Sequence, residues 1–157
     1  MRIILAFFLL ILLLSGCTAN VPKSKLGQTY YNNINKVLSR NYPFKPEYPD
    51  STILIILHSD TLCSCNGKNL FLVNEILYKR KHIRSYIFVK NDYKKFIRNQ
   101  LYLTNSRIFL DTTDLLEKNG CFFRFDKIFA LVNGKYDNMF DLEEKDIENI
   151  KRYYSLN

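Results

Sequence analysis

The chain has no tryptophan, only two histidines and four cysteines, and its prolines number four, three of them crowded at Pro43, Pro46 and Pro49. It has no internal repeat and no low-complexity stretch, which excludes a solenoid and a disordered tail and leaves a packed globule. It has no nucleophile elbow of the G-x-S-x-G kind, so a serine hydrolase site of that design is excluded. Nowhere does it carry the ~20 consecutive apolar residues that a comfortable membrane span needs. The longest such run, Ile3 to Leu14, falls short of that length and follows a charged start, Met1-Arg2.

What the chain does have is an organising stretch from Thr52 to Leu77. Thr52-Ile53-Leu54-Ile55-Ile56-Leu57 is an unbroken apolar and β-branched run of strand length, which predicts a strand buried on both faces. The pattern breaks at His58-Ser59-Asp60-Thr61, presents Cys63-Ser64-Cys65, turns at Asn66-Gly67 and becomes helical. Leu70, Val73 and Leu77 then form one helical stripe, widened by Leu72 and Ile76. A cysteine pair between a buried strand and a helix N-terminus sits where unpaired N–H groups and the positive dipole end favour thiolate over thiol.

Strand, loop with paired cysteines, then helix resembles the active-site segment of the thioredoxin superfamily. The spacing differs: Ser64 alone separates Cys63 from Cys65, where redox-active members space the pair by two residues. The start of the chain resembles a bacterial lipoprotein signal: the apolar run leads into Leu14-Ser15-Gly16-Cys17, similar to the lipobox, in which the cysteine is lipidated and becomes the first mature residue. The resemblance implies a signal peptide over 1–16, a lipidated (palmitate-bearing) tether over 17–28 and a thioredoxin-like domain over 29–157. It also implies a location in the cell envelope, anchored to a membrane by lipid on Cys17 and facing the extracytoplasmic side. The formal charge of +8 falls to +7 when Arg2 leaves. In an envelope protein that excess suits anionic lipid or solubility, and no nucleic-acid partner is expected.

With Cys17 reserved for lipid, Cys63, Cys65 and Cys121 remain. Two residues one position apart bridge only with strain, and a strained disulfide is easily reduced. A bridge from Cys121 to one of the pair is the competing arrangement. The redox pair and the structural staple both stand.

Along the rest of the chain, Tyr30, Ile34, Val37 and Leu38 predict an amphipathic helix over 29–40, and the prolines an extended approach to the first core strand. Lys79-Arg80-Lys81-His82 reads as cations complementing a helix C-terminus. Ile83 to Val89 predicts a second strand, Tyr93 to Leu101 a helix, and Arg107 to Leu110 a third strand ending at Asp111. Parallel crossovers and an α/β sheet follow. Lys127 to Val132, Asn133-Gly134 and Lys135 to Phe140 predict a hairpin. Asp141 and Glu144 read as a capping pair before a terminal helix bearing Ile147, Ile150, Tyr153 and Tyr154.

The segment Asp111-Thr112-Thr113-Asp114 followed by Leu115-Leu116-Glu117-Lys118 resembles the strand, aspartate and brief helix of the peroxiredoxin and TlpA-like branch. With it the fold expected is a three-layer thioredoxin-like α/β sandwich with a mixed sheet. Two positions depart from the branch. Phe125-Asp126-Lys127-Ile128 lacks the proline that normally precedes the closing hairpin, and Asp60 stands where the peroxide-reducing pattern has threonine. Cys63, Cys65, Cys121 and His58 are ligand types for soft metals, but thioredoxin-like copper carriers space their cysteines more widely and draw histidine from later in the chain. Neither metal nor cofactor is therefore expected. The resemblance implies thiol–disulfide exchange, with Cys63 attacking, Cys65 resolving and Cys121 an alternative resolving thiol, toward a redox partner or other envelope protein. The alternative is a non-catalytic domain binding an envelope partner, its cysteines a staple.

Overall fold

Six apolar or β-branched residues in a row cannot leave one face in water, and the strand they form, β1 (Thr52–Leu57), is buried at every position. The computed structural model describes residues 23–45, 51–58, 66–90, 101–102, 104–121 and 124–156. β1 lies at the centre of a five-stranded mixed sheet. Its neighbours are β2 (Arg84–Lys90), parallel to it, and β4 (Lys127–Val132), antiparallel. β3 (Ser106–Asp111) extends the sheet in parallel beyond β2, and β5 (Lys135–Asp141) closes the other side as the antiparallel partner of β4. The strand order is β3-β2-β1-β4-β5.

Alternation along β1 sends its side chains to two separate cores. Ile53, Ile55 and Leu57 meet Leu70, Leu72, Val73, Ile76 and Leu77 of α2 (Asn66–Lys79), and Ile150 and Tyr154 of α4 (Ile147–Tyr154). Leu54 and Ile56 meet Tyr31, Ile34 and Leu38 of α1 (Lys23–Asn41), and Leu116 of α3 (Leu115–Lys118). The chain is thus α/β, with helices on both faces of a mixed sheet. No helix among the described residues is long and apolar enough to cross a membrane.

The hairpin falls where the sequence places it. β4 has the bounds expected, and Asn133 and Gly134 both take positive φ, 54° and 70°, as a two-residue turn of the I′ type demands. The five stripe positions of α2 are all buried. β2 and β3 are displaced or lengthened by a residue or so at their ends.

Two expectations are corrected. The first helix starts at Lys23, not Thr29, so residues 23–28 belong to the folded unit and not to a tether. Gly27 is buried there, and a Cβ on it would run into the Tyr136 ring and hydroxyl and lie 3.2 Å from Met139 Cβ. Gly27→Val is therefore expected to destabilise the protein by about 1–3 kcal/mol through overpacking, measured by urea unfolding. No change would mean that this turn of α1 is not packed on β5.

The capping pair also does not form. Asp141 ends β5 and pairs with Lys127 across the hairpin, while Glu144 begins a 3-10 turn, Glu144–Asp146, that precedes α4. The cations at the end of α2 stand where expected, Lys79 in its last turn, and Arg80 does a further job: it donates from Nη2 to the Tyr154 carbonyl at 2.8 Å, closing the end of α4. The helix expected over 93–101 lies outside the described residues except for Leu101, a buried bend residue.

Candidate functional site

Parallel strands deliver their carboxyl ends to one edge of a sheet, and in open α/β folds that edge is where chemistry collects. Here it gathers the residues that follow β1 and end β2 and β3. His58 directly follows β1 and has the same parity as Leu54 and Ile56, so its side chain lies on the α1 face. Asp111 closes β3 on that same face, in register with Lys90 of β2.

His58 Nε2 and Asp111 Oδ2 are 3.2 Å apart, and each side chain is only 1% exposed. Two more donors converge on the carboxylate: the Leu115 N–H reaches Oδ1 at 2.7 Å and the Leu116 N–H reaches Oδ2 at 3.0 Å. Asp111 thereby caps α3, because Asp114, the residue at the cap position, adopts the left-handed conformation and makes no side-chain cap bond. Burial by itself would push the Asp111 carboxyl up. The hydrogen bonds from Leu116, Leu115 and His58, with the histidine's charge, outweigh it and hold the group below the usual carboxylate range. An ionised carboxylate only accepts, so the proton between the two side chains belongs to His58 Nε2.

The histidine is fixed from its backbone too. Its N–H donates to Asp126 Oδ1 at 2.8 Å, and Asp126 is itself buried, just ahead of β4. Around this core lie Lys90, whose Nζ is 4.0 Å from Glu117 of α3, and Tyr42, whose hydroxyl donates to the Leu110 carbonyl at 3.3 Å. Burial, and then the Asp111 charge, raises the Tyr42 phenol. The end of β1, the end of β3, the start of β4 and α3 are thus tied at one corner by charge-assisted hydrogen bonds, which are roughly twice as strong as neutral ones.

Cys121 ends α3. Gly120, at φ 76°, lets the chain turn back, with its N–H on the Glu117 carbonyl at 2.8 Å and the Cys121 N–H on the Leu116 carbonyl at 2.9 Å. This is the Schellman arrangement. It buries the Cys121 thiol to 3% exposure among the α1-face residues, on the opposite side of the sheet from α2, and burial pushes the thiol up. Cys17, Cys63 and Cys65 lie outside the described residues. The described elements that bracket the cysteine pair are β1 with His58 on one side and the first turn of α2 on the other.

One described group has the donor types for a cation: oxygens of Asp141, Glu143 and Asp146 lie within 4.8 Å of one another. Lys127 pairs with Asp141 and Lys145 with Glu143, so that negative charge is already offset by side chains.

Sequence reasoning singled out His58 and noted Asp111 as a strand end, but it did not join them and did not find Asp126. The signal was present in outline. A histidine and an aspartate closing two parallel strands share an edge, and equal parity puts them on one face. No family model matches the chain and no curated protein matches it, so the reading of this edge rests on its chemistry.

Proposed function

We propose that the protein is a lipid-anchored envelope protein of thioredoxin-like fold that exchanges thiols and disulfides through Cys63 and Cys65. The observation that carries this reading is positional. Residues 59–65, with both cysteines, join the carboxyl end of the central strand to the first turn of α2. The closing hairpin, the terminal helix and helices on both faces support it. In the step proposed, the Cys63 thiolate, favoured by the helix N-terminus, attacks a partner disulfide and one partner sulfur leaves as thiolate. Cys65 then attacks the mixed disulfide, releasing the reduced partner and leaving the pair oxidised; a dithiol donor returns it to the reduced state. Burial of Cys121 and its raised thiol favour Cys65 as the resolving group.

The test is to equilibrate the full chain in glutathione buffers and map disulfides by mass spectrometry. A bond through Cys63 that cycles with a potential above roughly −230 mV is expected. It should be lost in Cys63→Ser and retained in Cys121→Ser. A potential below about −300 mV, or a bond unaffected by Cys63→Ser, overturns the proposal. One observation favours the second reading, a binding domain with a staple: Asp126, not proline, stands immediately before β4, and its carboxylate accepts the His58 N–H at 2.8 Å, while Lys127 beside it pairs with Asp141 beneath the Tyr30 ring, 5.4 Å away. The low-potential outcome would select that reading. The anchor is tested separately, since Cys17→Ser should move the protein from membrane to soluble fraction.

A further inference from the structure

The edge of the sheet opposite His58 and Asp111 is where β1, β2, β3 and β5 begin and where β4 and α4 end. Four exposed cations stand on it: Lys81 ahead of β2, Arg107 on β3, Lys135 opening β5 and Arg152 in the last turn of α4. None of the four makes an ion pair among the described residues. Of the described acids at this end, Glu75 pairs with Lys79 and Asp137 accepts from the Tyr153 hydroxyl. At the His58 edge the charges largely cancel: Lys90 pairs with Glu117, Lys127 with Asp141 and Lys145 with Glu143. Among the described residues, then, uncompensated positive charge collects at the end of the domain away from the histidine corner.

The same edge exposes apolar surface that the core leaves over. Val132, the last residue of β4, is 43% exposed, and Tyr153 of α4 is 38% exposed. The chain also enters from this end. α1 crosses its face of the sheet from Gly27, which lies over Tyr136 and Met139 of β5, to Asn41, beside which the Tyr42 hydroxyl meets the Leu110 carbonyl next to Asp111. Its first turn is therefore remote from the histidine corner. Residues 18–22 alone separate that turn from Cys17, a reach of at most about 20 Å.

We infer that this basic edge lies on an anionic phospholipid surface, which turns His58 and the connection from β1 to α2 away from the bilayer. The inference rests on the anchored reading proposed above and adds an orientation to it. From Arg107 on β3 to Lys135 on β5 the cations span the whole sheet, about 19 Å at ~4.8 Å per strand, too wide for one small anion to bridge. A long polyanion matches that width as well, but Val132 and Tyr153 suit a surface with an apolar layer beneath its charges, where aromatic and aliphatic groups settle at headgroup level. The contact is weak by itself and screened by salt, so it orients an anchored domain and does not hold an unanchored one.

The chain has no tryptophan, so one placed at either edge is a sole reporter. The test reconstitutes the full chain, as Val132→Trp and, for the opposite edge, as Glu144→Trp, into vesicles of phosphatidylglycerol or phosphatidylcholine with brominated acyl chains. In phosphatidylglycerol, quenching of Val132→Trp is expected to be at least twice that of Glu144→Trp, with its emission shifted to the blue. The difference should vanish in phosphatidylcholine, in salt of about 1 M, where the screening length is ~3 Å, and when Lys81→Glu and Lys135→Glu are added. Both reporters hang on the same anchor, so attachment alone does not separate them. Equal quenching of the two, stronger quenching of Glu144→Trp, or a difference that survives the charge reversals overturns the inference. So does duplex DNA that displaces Val132→Trp from phosphatidylglycerol at equal charge. Flotation of the unsubstituted chain with vesicles in the high salt reads the anchor separately: if flotation fails while the low-salt difference holds, the anchor is wrong and the basic edge stands.

Discussion

Asp111→Ala is expected to destabilise the protein by about 3–5 kcal/mol, the cost of removing one partner from a buried charged pair. The carboxylate receives the Leu115 and Leu116 N–H groups and His58 Nε2. Alanine strands all three donors at a place where Asp111 is 1% exposed and water does not replace it. Asp111→Asn keeps an acceptor for the helix cap but loses the charge, and should cost less, about 1–3 kcal/mol. The pH dependence follows from the direction of the shift. The folded carboxyl titrates below its unfolded value of about 3.9, so its contribution is complete above that pH and is lost as pH falls through the lower folded value. Urea unfolding at pH 7 and at pH 3 should therefore show a larger acid loss for the parent than for Asp111→Asn. A cost under about 1 kcal/mol for Asp111→Ala would mean that the corner is solvated and the pair is not what holds it.

How much of this could be read beforehand depended on whether a feature is local. β1 was legible because an apolar run without alternation has one solution, a strand covered on both faces. The hairpin was legible because Asn133-Gly134 tolerates the positive φ its turn requires. The start of α1 was not: a glycine in a polar stretch reads as linker, and only the packed sheet shows Gly27 to be the small residue over which Tyr136 and Met139 close. The capping pair failed for a related reason. Asp141 and Glu144 fit the local cap spacing, but Lys127 across the hairpin takes the Asp141 carboxylate and the strand runs on to that residue. His58 and Asp111 stand 53 positions apart. Several aspartates could have met the histidine, and the choice among them rests on strand register and parity, which are set by pairing across the sheet. Of the proposed redox site, the sequence offers the cysteines and the structure their brackets, His58 and α2.

Phe88→Ala should match the Asp111 variant in cost, about 3–5 kcal/mol, and should reach the site from below. Phe88 is fully buried and is the hub of an aromatic cluster on the α1 face. Phe109 of β3 stacks on it at 4.7 Å, while Tyr42 and Phe44 meet it edge to face at 5.2 and 5.9 Å. Such pairs add about 0.5–1.5 kcal/mol beyond the area they bury. Among the described residues β3 is an edge strand paired on one side only, so the packing of Phe109 on this face, with Ile108 and Leu110 on the other, helps press it to the sheet. Asp111 lies two residues further along that strand. Tyr42, held by Phe88 and Phe109, also donates to the backbone beside Asp111. Removing the Phe88 ring therefore frees both supports of the aspartate together. Native-state hydrogen exchange should show the Leu115 and Leu116 amides, which Asp111 protects, losing protection by more than the global loss of stability accounts for. Phe88→Leu keeps most of the volume and should cost about 1.5 kcal/mol, with those amides tracking global unfolding. If in Phe88→Ala they too only track global unfolding, the histidine–aspartate corner is held by its own hydrogen bonds, and the aromatic cluster serves stability alone.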